Sequence, residues 1–298
     1  MTHDHSHNNG VDLNKAFIFG IILNSGYIVI ETIYGLIINS MALLADAGHN
    51  VSDVLGLLLT WGASYLVLKK PTVNRTYGFR KSSILAALLN AILLLVAVGA
   101  IGFESIRKFI HPEPVEGITI MIVAGIGVII NSATALLFIR SKNKDLNIKG
   151  AFLHMVADAA VSFGVVIGGI VIFYTKSYWI DPVISLIIMV VILFGTWNLL
   201  KDSLNLALDS VPVNINPHEV ESYLHSLQSV KEFHDLHIWA MSTTENALTV
   251  HIVKKDSIID DELTTNISEY LHHHFGIDHT TIQYESGKTD LNCLNNSV

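Results

Sequence analysis

Six long, almost uncharged apolar stretches fill the first two thirds of the chain, near 16–38, 41–68, 82–109, 117–139, 151–174 and 179–200. Each reaches the roughly 20 residues a helix needs to cross a bilayer core. Beyond Lys201 the pattern changes. NPHEVESYLHSLQ has the period of an amphipathic helix, with Pro217 in its first turn. VKEFHDLHIWAM and ALTVHIVKK read as strands joined by the turn-like STTEN, IDDELTTNISEYLHHHF as a helix with an acidic first turn, and HTTIQYE as a third strand. The pattern predicts a polytopic α-helical membrane protein with six transmembrane helices, followed by a small α+β domain in the order αββαβ. Four regions are expected: a His-rich tail (1–14), a six-helix membrane domain (15–210), a soluble domain (211–290) and a disordered tail (291–298).

Composition agrees: 51% of the residues are hydrophobic and 15% charged, against roughly 25% charged in a soluble domain. The start, MTHDHSHNNG, is polar and lacks the basic region of a signal peptide. Basic residues gather after the second apolar run (Lys69, Lys70, Arg75, Arg80, Lys81) and after the fourth (Arg140, Lys142, Lys144, Lys149). Loops rich in Lys and Arg stay in the cytoplasm, so both termini are expected there. Arg107 and Lys108 fall at the outer end of the third span, where snorkelling to headgroups is the expected accommodation. Helical spans imply the inner (cytoplasmic) membrane rather than an outer one.

Charge is divided unevenly. Residues 1–201 hold 14 Lys/Arg against 11 Asp/Glu, and residues 202–298 hold 4 against 15. An acidic soluble domain argues against nucleic-acid binding, which needs the opposite sign. Nine of the 15 histidines also lie in that part, which suits a metal-handling domain. The single cysteine, Cys293, excludes an intrachain disulfide framework.

A charged side chain at the centre of a spanning helix costs about 2.5–3.5 kcal/mol on insertion scales, so such residues mark a pairing or a function. LLADAGHNVSDVLGLL in the second span and FLHMVADAAVSF in the fifth each carry a His and an Asp four residues apart. That spacing puts His49 with Asp53, and His154 with Asp158, on one helix face. The two spans run in opposite directions, so the pairs can converge near mid-membrane. Two imidazoles and two carboxylates make a tetrahedral Zn²⁺ set, and two Asp⁻ neutralise the ion. The competing reading is a polar clamp between helices, which a repeated spacing on two antiparallel spans disfavours. Asp46, one turn outward, reads equally as part of a metal or proton exit path or as an interfacial residue. Asn24, Glu31 and Asn131 read as helix–helix hydrogen-bonding groups. Gly164, Gly168 and Gly169 form a small-residue face for close packing.

With ALLADAGHNVSD, HMVAD, HDLHIW and LTVHIV in that order, the chain resembles the cation diffusion facilitator family of metal exporters, in its zinc-type bacterial branch. The resemblance implies a homodimer that exchanges protons for Zn²⁺, with Cd²⁺ or Co²⁺ as further cargo, and a metallochaperone-like cytosolic domain. It also maps a cytosolic metal site onto His234, His251, Asp261 and Glu285, with Gln283 standing where some members carry a histidine. His237 and His279 are nearby alternatives, and strand alternation alone does not choose between His234 and His237. Of the other histidines, His3, His5 and His7 form a tract capable of weak metal capture. His272, His273 and His274 suit a helix C-terminus without any ligand. An intramembrane metalloenzyme would need an open coordination position and a general base, yet the chain has no H-E-x-x-H motif and the four ligands fill a tetrahedron. A metal-sensing receptor would have no use for a ligand set inside the membrane. The expected function is therefore transport, not catalysis.

Overall fold

The computed structural model describes residues 13–139, 146–255 and 261–285, without the side chains of 13–21, 138, 146–148, 150 and 151. Expectations about His3, His5, His7, Arg140, Lys142, Lys144, Cys293 and the tail at 291–298 lie outside the described residues. Six long helices come first: α1 (Leu13–Ile37), α2 (Met41–Val67), α3 (Ser82–Ile110), α4 (Gly117–Phe138), α5 (Leu146–Thr175) and α6 (Ile180–Ala207). Then follow α7 (Pro217–Ser226), β1 (Val230–Ala240), β2 (Asn246–Lys254), α8 (Asp261–Phe275) and β3 (His279–Glu285), in the predicted order. By length and composition α3, α4, the Phe152–Thr175 part of α5, and α6 are able to cross a membrane, and Ile22–Ile37 of α1 is a shorter apolar helix. α2 is 27 residues long but interrupts its apolar surface with Asp46, His49, Asn50 and Asp53.

The chain divides into two compact units: residues up to Leu57 with Asn90–Trp197, and Leu58–Leu89 with the chain from Asn198 onward. In the first unit, Tyr27, Leu43, Leu94, Ile120, Val165 and Ile172 belong to one buried cluster. Phe103, Tyr174 and Phe194 are each more than 70% exposed, the outward apolar surface expected of helices facing lipid. Two of the three glycines singled out on α5 are close-packed. A Cβ on Gly169 would come within 3.0 Å of the Gly117 carbonyl of α4, one on Gly168 would collide with Ile184 of α6, and Gly164 faces open space.

Polar side chains close the α1–α2 turn. Asn39 takes the left-handed conformation (φ 59°), which short polar residues tolerate better than most. Asp181, buried at the start of α6, accepts hydrogen bonds from the Ser40 hydroxyl (2.5 Å), the Met41 amide (2.6 Å) and the Ala42 amide (3.3 Å). Those amides are among the donors a helix N-terminus leaves unpaired. Lys108 is 3% exposed and donates to the Asn39 carbonyl at 2.7 Å. It ties α3 to this turn instead of snorkelling outward, while the exposed Arg107 pairs with Glu104 at 2.5 Å.

In the second unit the three strands stand in the order β1-β2-β3, with β1 antiparallel and β3 parallel to β2. Asn216 caps α7, accepting from the His218 amide at 3.2 Å. α8 ends at Gly276 (φ 64°), whose amide bonds the His272 carbonyl while the Ile277 amide reaches back to Leu271. Glycine there avoids the steric penalty of a left-handed helix stop. Val220 and Leu224 of α7 and Ile267 and Leu271 of α8 are completely buried in one cluster with Leu248, Val250 and Ile252 of β2. Since side chains alternate along a strand, His251 points to the opposite face from those three. The segment between α2 and α3 is joined to this unit by Arg80–Glu245 (2.5 Å), Lys81–Asp209 (2.6 Å) and the Thr243 amide bonded to the Ser83 hydroxyl (3.1 Å).

Candidate metal centre

The period of α2 stacks His49 above Asp53, and that of α5 stacks His154 above Asp158. The two pairs meet. His49 Nε2 lies 3.6 Å from Asp53 Oδ2 and 3.7 Å from Asp158 Oδ1. His154 Nε2 lies 3.2 Å from Asp53 Oδ2 and 3.5 Å from Asp158 Oδ2. Ligand atoms of His49, Asp53 and His154 all fall within 4.8 Å of one another, and the imidazole rings are 6.0 Å apart, nearly edge to face.

These distances discriminate between a clamp and a metal site. An N–H···O bond spans about 2.7–3.2 Å, whereas ligand atoms around a tetrahedral ion with bonds of 2.0–2.1 Å stand roughly 3.3–3.5 Å apart. Three of the four His–Asp distances exceed hydrogen-bond length. Asp53 Oδ2 and Asp158 Oδ2 are buried without any hydrogen bond, although orphaned buried acceptors are rare in folded proteins. The spacing and the two orphaned oxygens suit a shared cation. Asp46 faces the interior of the first unit: it is 1% exposed and accepts from the Ser162 hydroxyl of α5 at 2.8 Å. Glu31 is also buried and accepts from Tyr27 of the same helix at 2.7 Å. Both side-chain atoms of Asn131 lack a hydrogen bond, as does Asn24 Oδ1.

A second convergence occurs on the sheet. His234, His251 and Glu285 bring ligand atoms within 4.8 Å of one another. His251 Nδ1 is 3.0 Å and His234 Nε2 3.6 Å from Glu285 Oε1. Asp261, the first residue of α8, is exposed and is not one of that converging trio. Gln283 sits beside His251 in the β2–β3 register, and its amide is not among the usual zinc ligands.

The structure supplies what alternation could not. His234 pairs with His251 but His237 with Thr249, so β1 carries one extra residue between them. This bulge brings His234 and His237 to the same sheet face, which strict alternation would forbid. Asp235 within it has φ 53° and lies 2.9 Å from His237 Nε2 and 3.6 Å from His251 Nε2. Pattern alone does not single out Asp235, and its place between two histidines in HDLH is the one signal of it in the sequence. His279 lies elsewhere, its ring 5.7 Å from that of Tyr77. His274 hydrogen-bonds the Tyr270 carbonyl near the end of α8, as a helix-terminal histidine is expected to do.

The cation efflux transmembrane domain model matches residues 17–206, and the cation efflux protein cytoplasmic domain model matches residues 212–287. The cadmium, cobalt and zinc/H(+)-K(+) antiporter of Bacillus subtilis (strain 168) is 34% identical over 292 residues, covering 95% of this chain and 92% of that protein. Zinc transporter ZitB of Escherichia coli (strain K12) is 33% identical over 291 residues, covering 96% of this chain and 93% of that protein. The solved metal-bound C-terminal domain of the CzcD transporter from Cuprividus metallidurans is 38% identical, covering 24% of this chain and 99% of that one, with a TM-score of 0.22.

Proposed function

Because this multi-pass membrane chain belongs to the cation diffusion facilitator family, as a transporter and not an enzyme, we propose that it exports Zn²⁺ from the cytoplasm in exchange for protons. Cd²⁺ and Co²⁺ are further cargo, because the same N/O ligand set accepts neighbouring divalent ions. His49, Asp53, His154 and Asp158 form the transport site. The observation that carries this reading is the 3.2–3.7 Å spacing of two imidazoles and two carboxylates contributed by α2 and α5.

Proton exchange follows from the ligand chemistry. Metal binds deprotonated ligands, so protons and metal compete for the site. An unperturbed imidazole titrates near pH 6.5, within reach of both compartments. Cytosolic zinc displaces protons from His49 or His154, the spans rock to face outward, and returning protons expel the ion. On this reading the protein lies in the inner membrane with both termini in the cytoplasm and acts as a homodimer. His234, His251 and Glu285, with Asp261 as the fourth position taken from the family, hold cytosolic metal that tightens the dimer. Radioactive zinc uptake into inside-out vesicles tests the site: Asp53→Ala is expected to abolish uptake, and undiminished flux would remove the assignment.

A further inference from the structure

The second unit holds a cavity that the metal chemistry leaves unused. It measures about 470 Å³ and lies between the α2–α3 segment and the end of β1, with Arg75, Tyr77, Arg80, Lys81, Leu85 and Trp239 among its walls. Three of its lining residues are cations and none is an acid. Arg80 and Lys81 already have carboxylate partners in Glu245 and Asp209. Arg75 does not: its guanidinium lies over the Phe79 ring, 4.3 Å from the centroid. Among the described residues, no carboxylate pairs with it or with the exposed Lys69 and Lys70 of the same segment.

The backbone that carries these cations is fixed. Thr72 and Arg75 exchange amide-to-carbonyl bonds of 3.0 Å in both directions, and the Gly78 amide donates to the Arg75 carbonyl at 2.8 Å. Gly78 takes φ 69°, a turn that glycine makes without steric cost. Such preorganisation lowers the ordering cost of binding. Apolar surface accompanies the charge: Leu68 is 83% and Val73 96% exposed, on either side of Lys69 and Lys70. Trp61 and Tyr65, both exposed, share a face of α2 near its end, and the Lys69 ammonium lies 5.5 Å from the Tyr65 ring. Aromatic and basic residues at a helix end are anchors of the membrane–water boundary. Leu85 stands in the first turn of α3, which is long and apolar enough to cross a membrane. Thr243 and Glu245, which tie the segment down, belong to the cytoplasmic domain. The cavity therefore belongs at the cytoplasmic face of the bilayer.

We propose that this cavity binds the headgroup of an anionic phospholipid from the cytoplasmic leaflet. Arg75 takes the phosphate through its guanidinium fork. Lys69 and Lys70 add attraction to the negatively charged leaflet. Leu85 and Trp239 flank the glycerol and the start of the acyl chains. A soluble anion would use the cations but leave the exposed Leu68 and Val73 without a partner, so the apolar surroundings select a lipid. With walls from both the α2–α3 segment and β1, the bound lipid links the cytoplasmic domain to the membrane surface.

Native mass spectrometry of the purified, delipidated full-length protein tests this. Titration with phosphatidylglycerol or phosphatidylcholine counts the bound lipids and gives their affinities. Wild type is expected to bind one phosphatidylglycerol per chain at least about ten-fold more tightly than phosphatidylcholine. Arg75→Ala is expected to lose at least about ten-fold in that affinity. Should Arg75→Ala not fold, Arg75→Gln, which keeps the stem over Phe79, carries the same expectation. Lys70→Ala, outside the cavity, is expected to lose about five-fold at most, and Lys231→Ala, an exposed cation of β1, to bind as wild type does. Unchanged phosphatidylglycerol affinity in the folded Arg75 variant overturns the proposal. So does a loss in Lys70→Ala or Lys231→Ala as large as in the Arg75 variant, which would mean diffuse attraction to a charged surface. Equal binding of the two lipids, or displacement of phosphatidylglycerol by millimolar inorganic phosphate, overturns it as well, the latter by making the ligand a soluble anion.

Discussion

Asp158 is the most buried of the four residues proposed as the transport site, with a side chain 3% exposed against 26% for His49, 34% for Asp53 and 41% for His154. Asp158→Asn keeps its volume and removes its charge. Removing one partner from a buried set of charges costs about 3–5 kcal/mol, a loss in zinc affinity of roughly 140- to 4,000-fold at about 1.4 kcal/mol per decade. Asp53 is better solvated, so water screens more of its charge, and Asp53→Asn is expected to lose about a decade less. Isothermal titration with zinc on purified protein measures both. Each variant, and the parent, carries Glu285→Gln so that the weakened cytosolic trio contributes equally to all. Affinities within threefold of the parent for Asp158→Asn, or a greater loss for Asp53→Asn, would refute the reasoning.

Three further outcomes are expected. Asp181→Ala removes an acceptor of three hydrogen bonds at the start of α2, and hydrogen bonds to charged groups contribute about 1.5–3 kcal/mol each at most. Thermal unfolding in detergent should show a clear loss, with Asp181→Asn intermediate; equal stability of Ala and Asp would remove the capping role. Asp235→Ala takes away the carboxylate beside His237 and His251, and zinc binding to the cytosolic site should weaken by about 10–100-fold, as for other groups that orient metal-binding histidines. Glu285→Gln should lower cytosolic zinc binding at least as much while vesicle zinc flux persists, and abolished flux would contradict a separate regulatory site.

What could be read from the sequence was local, and what could not was tertiary. The His-x-x-x-Asp pairs announce themselves because four residues make about one helical turn and because charge in an apolar run is costly. The soluble elements were equally legible, since their apolar periods switch from helix to strand at Pro, Gly and polar turns. Its place at the end of an apolar run makes Lys108 look like a headgroup-seeking side chain, yet it bonds the Asn39 carbonyl, a partner 69 positions away that no local pattern reveals. Asp181 likewise gives no sign in WIDP that it caps another helix. Asp46 remained ambiguous because position along a helix gives depth but not orientation, and its bond to Ser162 fixes the latter. On β1 a single extra residue brought His234 and His237 to one face, and a bulge leaves little trace in an alternation count.

The most direct test of the central claim is zinc transport by the purified protein in proteoliposomes under an imposed pH gradient, with zinc and proton movement recorded together. Zinc is expected to move opposite to protons, to stop when the gradient is collapsed, and to stop in Asp53→Ala and Asp158→Ala protein. Zinc movement that ignores the gradient, or that persists in both variants, would contradict the account.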